Sequence, residues 1–231
     1  MDYSYQEVIE KCHTAFLDIK TFYQSDVVNY RGKTSDTKEY YSEVVSKFVL
    51  DNIEVFRTGI PVITREKSYK TEGHTGDFRK VSNRVEEIVA IKMFNQSKSG
   101  HKYEFIGKII DYQTPLKSKR KDVAGKIDLL SYDGYILRVL ELKKPDSVET
   151  MLRCVLEGYT YMMTVDSKKM LSDWEMPSGT LMKASPFVFK NGIQYQEMKE
   201  ERKWLKELMC ELDSVPFYFV EENERYYVTE D

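Results

Sequence analysis

The chain has 231 residues, 41% of them hydrophobic, a formal net charge of −3 and three cysteines. Such a length and apolar content support one elaborated domain with a buried core, and the charge excludes long-range attraction to a polyanion, so a nucleic-acid partner requires a local basic patch or a bound cation. Cys12, Cys154 and Cys210 are too few and too scattered for a disulfide framework or a zinc site, and with no leader-like start and no long apolar run the expectation is a cytoplasmic protein without a membrane span.

Tyr5, Val8, Ile9, Cys12, Ala15, Phe16, Ile19, Phe22 and Tyr23 keep helical spacing, which predicts an amphipathic helix to about residue 23. A second helix is predicted from residues 35–37 onward, with Tyr41, Val44, Val45, Phe48 and Val49 as its core stripe. Residues 53–64 are apolar and β-branched around Gly59-Ile60-Pro61 and read as an irregular or short edge-strand connection. The polar stretch 66–78 carries Gly73-His74-Thr75-Gly76. A glycine pair there suits a phosphate cradle, but no strand precedes it as a phosphate loop requires, so it reads as a mobile surface loop.

Ser82 or Asn83 caps a further predicted helix, with Val85, Ile88, Val89 and Met93 inward. On its wheel Glu86 falls about 60–80° from the centre of the apolar face and Glu87 lies nearly opposite. A strand over 103–112 follows, and then the densest basic run in the chain, Lys117-Ser118-Lys119-Arg120-Lys121. Such a run is either a solvated loop or a phosphate contact.

Residues 127–130 and 135–140 are apolar runs flanking Asp133-Gly134, a strong hairpin signal because glycine accepts the positive φ of a tight turn. The arms carry Asp128 on one side and Glu141-Leu142-Lys143 on the other, where Glu141 and Lys143, two residues apart, project from one face. Pro145 stops the strand, and Asp146 with Glu149 three residues later forms a capping-box pattern opening a helix striped by Val148, Met151, Leu152, Val155, Leu156, Tyr159, Met162 and Met163. Arg153 and Glu157 lie on its polar side, four residues apart.

Downstream, residues 181–189 suit a late core strand before an Asn191-Gly192 turn, Met198 to Leu212 stripe one helix, and 215–220 form a last strand interrupted by Pro216. The acidic end, 221–231, is expected to fray. All three cysteines sit at apolar helical positions and read as buried thiols.

Asp128, a short hairpin, Glu141-x-Lys143 and a following amphipathic helix together resemble the core of the PD-(D/E)XK nuclease superfamily. The resemblance spans roughly residues 82–189 and implies an α/β fold: a restriction-endonuclease-like mixed sheet flanked by helices. Residues 76–231 would form that core, with 1–75 as a helical extension packed on it and a candidate homodimer surface. It further implies a metal-dependent nuclease, with Mg²⁺ or Mn²⁺ held by Asp128, Glu141 and the Leu142 carbonyl, Glu86 as an additional acid from the preceding helix, and Lys143 orienting water or stabilising the transition state. Nucleic acid is the implied partner, DNA by family frequency, with Lys117, Lys119, Arg120, Lys121 and Arg153 as candidate contacts. Relatives carry a glutamine or tyrosine on the helix after the motif; the glutamine is missing here and Arg153 is the nearest polar substitute. The chemistry accounts for the residue types: hydrolysing a phosphodiester needs neutralised oxygens and an activated water, and paired carboxylates hold a hard divalent cation. The rival reading is a module that keeps the fold for binding or scaffolding without turnover.

Overall fold

The chain begins with a Ser4–Glu7 capping box, in which the Glu7 carboxylate accepts the Ser4 N–H at 2.7 Å and the Ser4 hydroxyl accepts the Glu7 N–H. It opens α1 (Tyr5–Ala15), which stops earlier than the periodicity predicts. Phe16, Ile19 and Phe22 are spaced three apart, the repeat of a 3₁₀-helix, and the chain runs on through 3₁₀ segments Ile19–Gln24 and Asp26–Asn29. The second helix, α2 (Tyr41–Asp51), buries the expected stripe of Tyr41, Val44, Val45, Phe48 and Val49. Its start is delayed because Lys33 and Tyr40 form a bridge closed around Thr34.

Residues predicted as an edge connection form a third helix instead, α3 (Ile53–Gly59). Its β-branched residues are overridden by Phe56, which is buried and stacks on Tyr159 with ring centroids 5.8 Å apart. The structure, a computed structural model, describes residues 2–77, 85–117 and 125–230. The proposed caps Ser82 and Asn83 lie outside the described residues, and α4 (Val85–Lys98) is seen from its first turn.

Six strands lie side by side in chain order: β1 (Lys108–Pro115), β2 (Lys126–Tyr132), β3 (Ile136–Lys143), β4 (Leu181–Phe189), β5 (Phe217–Glu222) and β6 (Arg225–Thr229). β1 to β3 are antiparallel, β3–β4–β5 parallel, and β5–β6 antiparallel, so the sheet is mixed. Parallel neighbours need long crossovers. These are α5 (Met151–Thr164) with α6 (Ser167–Asp173), and α7 (Ile193–Lys199) with α8 (Lys203–Glu211). The β2–β3 turn is the expected hairpin: Gly134 has φ of +110°, and the Asp133 carboxylate accepts the N–H groups of Tyr135 and Ile136, both at 2.8 Å.

The C-terminal region departs from expectation in two places. The single striped helix is divided at Glu200, which adopts extended backbone, and the second half is capped from afar: the Glu43 carboxylate of α2 accepts the N–H groups of Trp204 and Leu205 at 2.9 and 3.0 Å. The acidic end does not fray. Asn223 and Glu224, both at positive φ, turn the chain into β6, whose Tyr226 and Val228 are buried. Cys12 and Cys154 are buried as expected, whereas Cys210 is exposed.

Alternate residues of β3 serve two cores. Leu137 and Val139 pack with Met151, Leu152 and Val155 of α5, while Leu140 and Leu142 pack with Val89, Ala90 and Met93 of α4. The α5-side core also takes in Val8, Cys12, Phe22, Val45 and Phe56, so the main apolar stripes of the first 60 residues pack within the chain, while Leu17 and Val55 remain exposed. Among the described residues no helix is long and apolar enough to cross a membrane.

Candidate active site

β2 and β3 pair as far as Leu129 with Leu140 and then part company. Beyond that point β2 stays with β1, through Ile127 and Lys126, and β3 stays with β4, through Glu141, Leu142 and Lys143. The first residues past the fork are Asp128 and Glu141. Strand alternation puts both on the α5 side, with Leu130 and Val139, and Lys143 continues the same row.

Asp128 is fixed by two neutral donors. Its Oδ1 accepts the Gln113 Nε2–H at 2.9 Å, and its Oδ2 accepts the Leu142 N–H at 3.0 Å. In an extended strand the N–H and C=O of one residue face the same neighbour, so the Leu142 carbonyl also faces the fork. Glu141, 3% exposed, accepts from Lys143 Nζ at 2.6 Å. The ammonium, on a residue 6% exposed, is also 2.7 Å from Glu149 and 3.2 Å from Glu157. α5 comes this close because residue 158 is glycine: a Cβ there would stand 3.3 Å from the Glu141 Cβ.

Two tyrosines extend the cluster. The Tyr161 hydroxyl donates to Glu157 at 3.0 Å and accepts from the Tyr23 hydroxyl at 3.2 Å, so the N-terminal segment is hydrogen-bonded into the site. From the opposite side, Glu86 in the first turn of α4 accepts the Lys144 N–H at 3.3 Å. Its charge also acts on Asp128. Asp128 and Glu86 keep partial solvent contact while Glu141 and Lys143 have almost none, so the open side of the cluster is the Asp128–Glu86 side.

The electrostatics follow from Glu141, Glu149 and Glu157 gathered around Lys143, with Asp128 beside them and Glu86 acting on Asp128. Burial pushes the Asp128 carboxyl up to about 7, against the pull of Lys143 and the Leu142 N–H, and Glu157 and Glu86 push the same way. Burial also raises Glu141 well above the usual carboxylate range, with Lys143 opposing and Asp128 adding. For Lys143 burial works against the charge, but Glu141 and the other acids outweigh it, and the ammonium is held charged. These tendencies conflict for the Lys143–Glu141 pair. One ammonium cannot neutralise three carboxylates, so Lys143 keeps its charge while burial biases Glu141 toward the protonated form.

The site differs from the sequence reading in several respects. The helix after the motif is capped by Thr150, whose hydroxyl accepts the Arg153 N–H at 3.2 Å, rather than by Asp146. Thr150 wins because its N–H and hydroxyl are also bonded to Asn29 and Val28, at 2.8 and 2.9 Å. Val148, placed in the apolar stripe by spacing, precedes the helix and is 61% exposed. Arg153 flanks the acids, 3.0 Å from Glu149 and 3.9 Å from Glu157, and the polar contact from α5 to Lys143 is made by Glu157 instead. Gln113, Glu149, Glu157, Tyr161 and Tyr23 were not among the candidates. A glycine in the middle of an apolar helix, at 158, was the one available sign of close approach.

Lys117 follows β1 and is half-buried, while Lys119, Arg120 and Lys121 lie outside the described residues. The His74 loop is not a loose surface segment up to Asp77. His74 Nδ1 lies 2.6 Å from the buried Asp111, its ring stacks on Tyr112, and Asn95 and Lys98 donate to the carbonyls of Gly76 and Thr75.

Among the described residues no three His, Cys, Asp or Glu side chains form a ready-made metal cage. Mg²⁺ keeps several waters and is commonly held by one or two carboxylates together with substrate phosphate. Asp128 and Glu141 supply two such groups in a site with excess negative charge. Set against known protein families, curated proteins and solved structures, the chain finds no match.

Proposed function

We propose that this chain is a Mg²⁺- or Mn²⁺-dependent phosphodiesterase acting on DNA, built on a restriction-endonuclease-like core of the PD-(D/E)XK type. The observation that carries this reading is the fork, where Asp128 and Glu141 meet as β2 and β3 separate, with Lys143 2.6 Å from Glu141. The reading is supported by the element order, α4, three antiparallel strands, α5 and a β4 parallel to β3. The bound cation supplies Lewis acidity and lowers the pKa of a coordinated water. Asp128, Glu141 and the Leu142 carbonyl would hold it, and Glu86 would add an acid on the open side. Lys143 is held charged by the surrounding acids and presents its ammonium to the phosphate oxygens or the attacking water. Glu157, steadied by Tyr161, keeps the ammonium from turning away. The basic residues 117 and 119–121 lead into β2 and are the proposed phosphate contacts.

One observation favours a second reading. Lys143 is enclosed by three carboxylates and almost fully buried, as in a structural ion cluster of a binding or scaffolding module. Incubating wild type and Lys143→Ala with plasmid and with single-stranded DNA or RNA, in Mg²⁺ or Mn²⁺, separates the two. Cleavage by wild type alone supports the enzyme; equal background from both, with DNA retained in a gel shift, supports the module.

A further inference from the structure

Gln113 adopts a backbone conformation that β1 does not require of it. Its φ is +50°, in the left-handed region that glycine and asparagine tolerate and that glutamine rarely takes within a strand. The residues on either side are undisturbed, since Tyr112 and Thr114 keep their pairing with Leu129 and Ile127. The distortion at this point is therefore local to one residue, separate from the register shift between Ile109 and Asp111. Such conformations persist where the surroundings fix them, and they concentrate at functional sites.

What the distortion accompanies is a contact. Gln113 Nε2 donates to Asp128 Oδ1 at 2.9 Å, while the Leu142 N–H holds Oδ2 at 3.0 Å. Both donors are uncharged. Glu141, by contrast, is partnered by an ammonium. The two acids at the fork are thus held in different ways: one is hydrogen-bonded to an ammonium, the other is oriented by neutral donors. A solvent-facing strand glutamine with no such role would take ordinary extended backbone.

We propose that Gln113 is a positioning residue: it fixes the rotamer of the Asp128 carboxylate at the fork while leaving that carboxylate free to accept a hard divalent cation. The positioning half rests on the geometry alone; the cation half rests on the metal-dependent reading above.

Gln113→Asn keeps a carboxamide and tolerates left-handed backbone, but is one methylene shorter and falls short of Asp128. Gln113→Ala removes the amide. In the metal-free protein the backbone amide resonance of Leu142 reports on Asp128, because that N–H is bonded to the other carboxylate oxygen. Both variants are expected to move the Leu142 resonance and leave that of Leu137, farther along β3, in place. Gln113→Asn should melt within about 3 °C of wild type, and Mn²⁺ affinity by calorimetry should fall about tenfold or more, the usual effect of losing a residue that orients a ligand. An unmoved Leu142 resonance in Gln113→Asn overturns the proposal. A resonance that moves in a protein whose wild type binds no Mn²⁺ upholds the positioning role and overturns the cation half, together with the metal-dependent reading on which it rests.

Discussion

Replacing Lys143 with methionine removes the ammonium at the centre of the acid cluster and keeps most of the apolar volume of its stem. Of the three acids that would lose it, Glu149 retains Arg153 at 3.0 Å and Glu157 retains the Tyr161 hydroxyl at 3.0 Å. Glu141, almost wholly buried, is the one left stranded. Breaking a buried ion pair from one side costs about 3–5 kcal/mol when the remaining charge stays ionised. Glu141 escapes part of that cost by binding a proton, which sets the pH dependence. Burial already raises its carboxyl above the ordinary 4.5, and Lys143→Met removes the main influence lowering it. A group raised on folding contributes stability that is fully present below its unfolded value and is lost as pH rises toward its folded value. The deficit of Lys143→Met relative to wild type should therefore be smallest in acid and widen only once pH passes the raised value that Glu141 already has in wild type, at no more than about 1.4 kcal/mol per pH unit and toward the about 3–5 kcal/mol of a stranded charge. Urea denaturation of both proteins across the accessible pH range measures it, and the neutral double variant Lys143→Met with Glu141→Gln should recover most of the loss. A deficit that never widens across that range, or that stays below about 1 kcal/mol at its alkaline end as for an exposed pair, would refute the argument from burial.

Glu43→Ala leaves the N–H groups of Trp204 and Leu205 without their acceptor and should cost about 1–2 kcal/mol, lowering the melting temperature by roughly 3–6 °C in calorimetry. Gly107→Ala meets both a φ of +75° and a backbone clash of its Cβ with the Tyr132 carbonyl oxygen; a loss of more than about 2 kcal/mol in urea denaturation is expected. His74→Ala deprives the buried Asp111 of one partner, leaving Thr114, and should cost about 1–3 kcal/mol while speeding limited proteolysis within residues 71–77.

The parts of the fold legible in sequence were those set by local chemistry. Asp133-Gly134 fixed the hairpin because only a few residue pairs accept that turn, and the α2 stripe was visible because one helical face is buried along its whole length. Elements decided by distant partners were not legible. Ile53–Gly59 has strand-like composition and becomes a helix through Phe56 and Tyr159, and the start of α5 moves to Thr150 through bonds to Val28 and Asn29. β6 was overlooked because its charges resemble a loose tail, although Tyr226 and Val228 alternate as a half-buried strand should. At the candidate site the spacing of Asp128, Glu141 and Lys143 was readable, since all three belong to one hairpin. Gln113 and the Tyr23–Tyr161–Glu157 connection were not, because each depends on which segments become neighbours only after the sheet and α5 have assembled.

The carboxylate of Glu43 finds its two N–H partners 161 and 162 positions further along the chain. Until those residues have been made and docked, α2 carries an anion in a location meant to be dry, with nothing to satisfy it. α2 and the start of α8 are thereby tied across most of the sequence, and a chain ending before Trp204 would leave that carboxylate buried without the partners it has in the complete fold.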